Sequence, residues 1–264
     1  MPSFTETTDL NAPAASPAPV IKPITQETIK ACLHQGFEDF KTAPSYGLFF
    51  GAVYAIGGLV LYIIARGLGM SFIALPLALI FPLIGPFVAI GLYEVSRRLH
   101  AKEELTWPAV LGVLFSQRHR QLPYIGAIMV FMVMIWLVIS RLTFAVFLGN
   151  NSIINFYSSM DTMLTLDGLT MILVNIAVGA SVAFLLFAIT VISIPMLMER
   201  EMDFVTAMIT SFEFVTENLV PMLTWGAAVI GLLLVAMLPA FLGLIVVLPV
   251  LGHATWHLYR AAVE

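Results

Sequence analysis

Charge is the scarcest property of this sequence. Only 11% of its 264 residues are Asp, Glu, Lys or Arg, against about 25% in an ordinary soluble domain. With 60% apolar residues and a mean hydropathy of +0.97, a soluble fold of this size could not bury enough apolar surface, because exposed area grows with mass. An ordinary cytosolic enzyme and a disordered chain are therefore excluded. Positive charge is scarcer still: 12 Lys+Arg stand against 16 Asp+Glu, a formal charge of -4. With no global basic field, no nucleic-acid partner is expected. Cysteine occurs once, at Cys32, which rules out an intramolecular disulfide and a cysteine-only metal cluster. No Ser–His–Asp ordering, phosphate-binding glycine loop or zinc-protease motif occurs, so no catalytic residues are assigned and the balance leans away from an enzyme. Residues 1–23 also lack the basic start and apolar core of a cleavable signal; rich in Ala, Pro, Ser and Thr, they read as a flexible N-terminal tail.

What the sequence has instead is long runs without charge. They lie between Lys41 and Arg66, Arg66 and Glu94, Arg120 and Arg141, Asp167 and Glu199, and Glu217 and Arg260. About 20 helical residues cross the hydrocarbon core. The last run is roughly twice that length, and Pro239 near its middle favours a break. The expected fold is all-α: a polytopic membrane helix bundle of six transmembrane helices plus interfacial amphipathic helices. The expected spans are 45–65, 68–93, 121–147, 168–198, 219–238 and 240–259, within a single membrane domain over residues 24–262. The second span, with Pro76, Pro82, Gly85, Pro86 and Gly91, should be kinked. The fourth is longer than a crossing needs, so it should tilt or protrude.

Three amphipathic stretches accompany the spans. In residues 24–41 the apolar face is Ile29, Leu33, Phe37 and Phe40. The other two follow the second and fourth spans, with Trp107, Val110, Leu111, Leu114 and Phe115 in one and Phe204, Ala207, Met208, Phe212 and Val215 in the other. Each of these two ends in a proline that opens the next span, Pro123 and Pro221. The pattern reads as a weak internal repeat of span, interfacial helix, span. All three helices are expected to lie against the bundle as a platform on one side. On that side fall Lys22, Lys30, Lys41, Arg97, Arg98, Lys102, Arg118, Arg120, Arg200 and Arg260, while the other side holds only Arg66 and Arg141. The positive-inside rule then puts both termini in the cytoplasm.

Several runs resemble a family. Leu75-Pro76, Phe81-Pro82-Leu83-Ile84-Gly85-Pro86-Phe87, Tyr93-Glu94-Val95-Ser96-Arg97-Arg98, Pro195 to Glu199, Asp203 to Met208, Pro221-Met222 and Leu251 to Arg260 are together similar to a bacterial family of predicted integral membrane proteins, a domain of unknown function. Some of its members carry a cytochrome c oxidase subunit label. The resemblance, over about residues 25–262, implies a six-span inner-membrane protein and almost nothing about activity. A catalytic oxidase subunit needs histidines within several spans for haem and copper, and none of the five here is expected at mid-bilayer.

Two groups of residues are candidates for chemistry. Glu94, Arg97 and Arg98 follow the second span, and Glu199, Arg200 and Asp203 hold the matching place after the fourth. Such boundary charges usually pair and lock loops to helix ends; facing a shared cavity, they would form a gate or proton site. His253 and His257 are spaced i, i+4 on one helical face, the spacing at which two imidazoles share a metal or haem. The plainer reading places them in an interfacial belt with Trp256, Tyr259 and Arg260, and no cofactor is expected. Asn175 should hydrogen-bond across helices, and Arg141 should snorkel outward. The expected partners are the lipid bilayer and a larger membrane-protein complex. The leading function is a non-catalytic accessory or assembly subunit; a small-solute channel or transporter and a metal- or haem-binding membrane enzyme are the alternatives.

Overall fold

A computed structural model describes residues 19–67, 89–117, 120–149, 164–239 and 241–263. Within them the regular structure is helical, apart from one isolated bridge between Ile21 and Val263. The helices are α1 (Gln26–Thr42), α2 (Pro44–Gly67), α3 (89–101), α4 (Trp107–Gln117), α5 (Leu122–Leu148), α6 (Leu166–Thr190), α7 (Ser193–Glu199), α8 (Phe204–Glu217), α9 (Leu219–Met237) and α10 (Leu244–Ala262). Their starts carry local signals. Thr25 and Thr28 cap α1 reciprocally, and Thr165 and Asp203 accept from the first turns of α6 and α8. Pro123 and Pro221 sit in the first turns of α5 and α9, where a missing N–H costs little.

Among the described residues three helices are long and apolar enough to cross a membrane: Leu122–Leu148, Leu166–Glu199 and Leu219–Met237. A fourth arises if α1 and the first part of α2, bent by 103° at Ala43, are counted as one broken span. That falls short of the six expected. Most of the expected second span, with Pro76, Pro82, Gly85 and Pro86, lies outside the described residues, as do residues 1–18 of the expected tail. The last expected span, 240–259, differs for a physical reason. Its helix, α10, carries His253, His257 and Arg260 in its second half and buries that half in protein. Instead of a lipid-facing rod it is the central post of the bundle, with α1 and α2 packed along it.

The expected fourth span is one apolar run, Leu166–Glu199, whose helix is interrupted but not sharply bent. α6 ends at Thr190, and a turn at residues 191–192 leads into α7. Pro195 has no N–H to offer the carbonyl of Val191, so the helix cannot run through unchanged. Ser211 of α8 supports the break: its hydroxyl donates to Ala188 O at 2.7 Å and accepts from Ile192 N at 3.3 Å. α9 and α10 are separated by turns around Pro239, with Phe241 at φ 66°.

The amphipathic helices lie against the bundle. Val110 of α4 is fully buried in a cluster with Tyr46, Phe50, Leu92 and Val95. Ala207, Phe214 and Val215 of α8 are fully buried against α6 and α7. On α1 the buried face is Ile29, Cys32 and Gly36, rotated from the expected Ile29, Leu33, Phe37 and Phe40. The reason is helix proximity. A Cβ at Gly36 would lie 2.5 Å from the backbone N of Ala254, so α1 crosses α10 on its small residues. Phe37 stays 44% exposed, with Lys41 Nζ 5.0 Å from its ring centre. The segment before α1 is also held: Lys22 N donates to Ala262 O and Ile24 N to Asn218 Oδ1, both at 2.8 Å.

Candidate functional site at the polar end of the bundle

Helices α3 and α10 run side by side, with Leu92 filling the space that a side chain at Gly252 would need. Their polar residues fall on two flanks. One flank is closed by α1, and the other opens onto a cavity bounded by α4 and α7.

On the closed flank Asp39 of α1 is the hub. Its Oδ2 accepts from Ser96 Oγ at 2.7 Å and from His257 Nε2 at 2.8 Å. Ser96 Oγ, its proton committed to Asp39, accepts from His253 Nδ1 at 2.8 Å. A chain of four side chains thus joins three helices. Burial alone would raise the Asp39 carboxyl, but the His257 and Ser96 hydrogen bonds and the two nearby imidazoles hold it below its ordinary value of 3.8. His253 is fully buried, and its Nε2 has no hydrogen-bond partner.

On the open flank Glu94, itself 3% exposed, holds two arginines. Its Oε1 accepts from Arg97 Nη2 at 2.8 Å and Arg98 Nε at 2.6 Å, and its Oε2 accepts from Arg97 Nε at 2.8 Å. Arg97 also forks onto exposed Glu103, and Arg98 Nη1 donates to Glu104 O. These carboxylates, Glu94 first, hold the Arg97 guanidinium above its ordinary value, so it stays charged. Across the cavity Glu199 accepts from Trp256 Nε1 at 2.8 Å and Arg260 Nη1 at 3.1 Å. Glu94, Arg97, Arg98, Glu199 and Arg260 line one cavity of about 600 Å³ with His100 and Gln117. One helical turn along α3, α7 and α10 lies a second, apolar cavity of about 230 Å³, bordered by Tyr93, Ile194 and Thr255.

The structure therefore brings together four of the six charges singled out in the sequence. Asp203 instead caps α8 through Thr206. Its carboxyl, held by the Thr206 hydroxyl and then the Thr206 N–H, lies below its ordinary value. Arg200 turns towards Tyr259. His253 and His257 share a helix face, but each is engaged with Ser96 or Asp39. No group of three or more His, Cys, Asp or Glu among the described residues is arranged to hold a metal. Trp256 and Tyr259, expected in an interfacial belt, are each 2% exposed and belong to the core. Asn175 bonds to Met171 O of its own helix rather than across helices. His34 is exposed beside Glu38, and His119 lies outside the described residues.

Asp39, Ser96 and Gln117 escaped the sequence reading. Ser96 was in view within the resembling motif, but nothing marked its role. Asp39 continues the Ile29–Cys32–Gly36 stripe by one more turn, a signal visible only once that stripe is known to be the buried face.

Apolar helices flanking a charged, cavity-bearing end define an α-helical integral membrane protein. Residues 74–199 match the family model described as Predicted integral membrane protein (DUF2189). The matched stretch contains Glu94, Arg97, Arg98 and Glu199; Asp39, His253 and His257 fall outside it. No curated protein and no solved structure matches the chain.

Proposed function

We propose that the chain is a six-span protein of a bacterial inner membrane, with both termini in the cytoplasm. Its role is that of a non-catalytic accessory or assembly subunit of a larger membrane complex. The observation that carries this reading is that its buried and half-buried carboxylates are each engaged by neighbouring side chains. Glu94 is spent on Arg97 and Arg98, Glu199 on Trp256 and Arg260, and Asp39 on Ser96 and His257. The Asp39 and Glu199 bonds fix the mutual positions of α1, α3, α7 and α10, as a scaffold requires, while the Glu94 pairs lie within α3. The gathering of Lys and Arg on one side supports the orientation. The oxidase label on some members of the resembling family makes a respiratory complex the first to test. The experiment is affinity purification of the full chain from native membranes in mild detergent, with mass spectrometry. A stoichiometric membrane partner is expected. Recovery of this chain alone, at its own mass, sinks the reading.

A second reading, a small-solute channel or transporter, is favoured by one observation. The charges of the two chain halves face a shared cavity, and an apolar cavity continues along the same helices. Solute flux into liposomes holding the purified protein tests it.

A further inference from the structure

We propose that the cavity between α3, α4, α7 and α10 is a binding site for a phosphate group attached to a hydroxyl-bearing organic residue. The proposal goes beyond both readings above, since a scaffold holding an anionic lipid needs such a site as much as a transporter does.

Three observations carry it. The first is the donor set. Three guanidinium groups, Arg97, Arg98 and Arg260, face two carboxylates, Glu94 and Glu199. Glu103, 42% exposed, neutralises Arg97 at the rim through two hydrogen bonds, so the free donors belong to Arg98 and Arg260. Arg97 makes four hydrogen bonds, but Arg98 spends only Nε and Nη1, and Arg260 spends only Nη1. Unused N–H groups on two arginines match the oxygens of a phosphate, which guanidinium groups recognise by paired hydrogen bonds.

The second observation is Gln117. It is 5% exposed, lines the cavity, and its Oε1 has no hydrogen-bond partner. A buried acceptor left without a donor costs about 1–3 kcal/mol. The Gln117 amide borders the cavity, and a hydroxyl on the bound molecule supplies that donor once the amide turns towards it.

The third is size and place. A cavity of about 600 Å³ exceeds what one phosphate fills, leaving room for the organic part. It opens at the end of the apolar helices, the level at which lipid phosphates lie. The same chemistry comes from a lipid headgroup or from a soluble phosphate ester, and the experiment separates the two.

The test uses the full chain in nanodiscs. In phosphatidylcholine discs, glycerol 3-phosphate is titrated against sodium chloride of matched ionic strength. Binding is read from Trp256 fluorescence, since that ring lines the cavity. In parallel, native mass spectrometry scores retention of phosphatidylglycerol over phosphatidylcholine from mixed discs. Saturable fluorescence change assigns the site to a soluble ester, selective lipid retention assigns it to a headgroup, and either supports the proposal. Two variants locate the site. Arg260→Gln, at a half-exposed position, is expected to weaken binding about tenfold. Gln117→Met, which removes the unpaired acceptor, is expected to leave thermal stability unchanged or raised while weakening binding about fivefold. The absence of both fluorescence saturation and selective retention overturns the proposal, as does binding that both variants leave intact.

Discussion

Glu94 accepts from two arginines in almost complete burial, while Arg97 and Arg98 remain 29% and 20% exposed at their side chains. Removing one partner of a buried pair costs about 3–5 kcal/mol, and the partial exposure of the arginines puts Glu94→Gln near the lower end. A fall in thermal midpoint of the detergent-solubilised protein is expected, and an unchanged midpoint would show the trio to be decorative. Asp39 makes a pH prediction whose sign is fixed. Its folded pKa lies below the ordinary 3.8, so the stability it adds is complete above that pH and fades as acid takes the pH through the lowered value. The difference in thermal midpoint between the parent and Asp39→Asn should hold from neutrality to about pH 4 and collapse only below it. A transition already complete at pH 6 would assign control to another group. Cys32, 2% exposed and pushed up to about 11 by burial, is protonated at neutral pH. Maleimide should label it slowly in the folded protein and at once after unfolding; rapid labelling of folded protein contradicts the docking of α1.

At the scale of elements, two junctions decide the shape. α1 crosses α10 at Gly36, where added atoms meet the backbone of Ala254 and Val250. Gly36→Leu overpacks this crossing and is expected to cost about 1–3 kcal/mol or to displace α1. Faster proteolysis between α1 and α2 reads out that displacement; a cleavage pattern like the parent's would mean that the crossing yields. The turn at residues 191–192 depends on the Ser211 hydroxyl. Ser211→Ala leaves the Ile192 N–H and the Ala188 carbonyl without it and is expected to cost about 1–3 kcal/mol, measured as a lowered thermal midpoint. Both junctions were hidden in the sequence, for different reasons. The excess length of 168–198 pointed to a tilted or protruding helix, and neither Pro195 nor a serine in α8 stood out as interrupting it. On α1 the hydrophobic stripe pointed to Phe37 and Phe40, whereas the crossing selected Cys32 and Gly36, because closeness favours small side chains over apolar ones.

For the whole molecule, α5, α6 and α9 carry large exposed apolar side chains along their lengths, among them Phe131, Val138, Leu173, Ile176, Ile230 and Leu234. Such a surface belongs in lipid. The chain should require detergent or nanodiscs to stay monodisperse, and a monodisperse sample in plain buffer by light scattering would refute the membrane reading. Composition and the uncharged runs determined this much unaided, because the cost of exposing so much apolar surface to water does not depend on how the helices are arranged. The sequence likewise marked Glu94, Arg97, Arg98 and Glu199, since charge at the edge of an apolar run is conspicuous wherever it occurs. Only the tertiary structure decided that these four share one cavity, that α10 stands at the centre with its histidines tied to Asp39 and Ser96, and that Gln117 is left with an unmet acceptor. Those facts depend on contacts between helices distant in the chain, and no local period or spacing encodes which flank of one helix meets which flank of another.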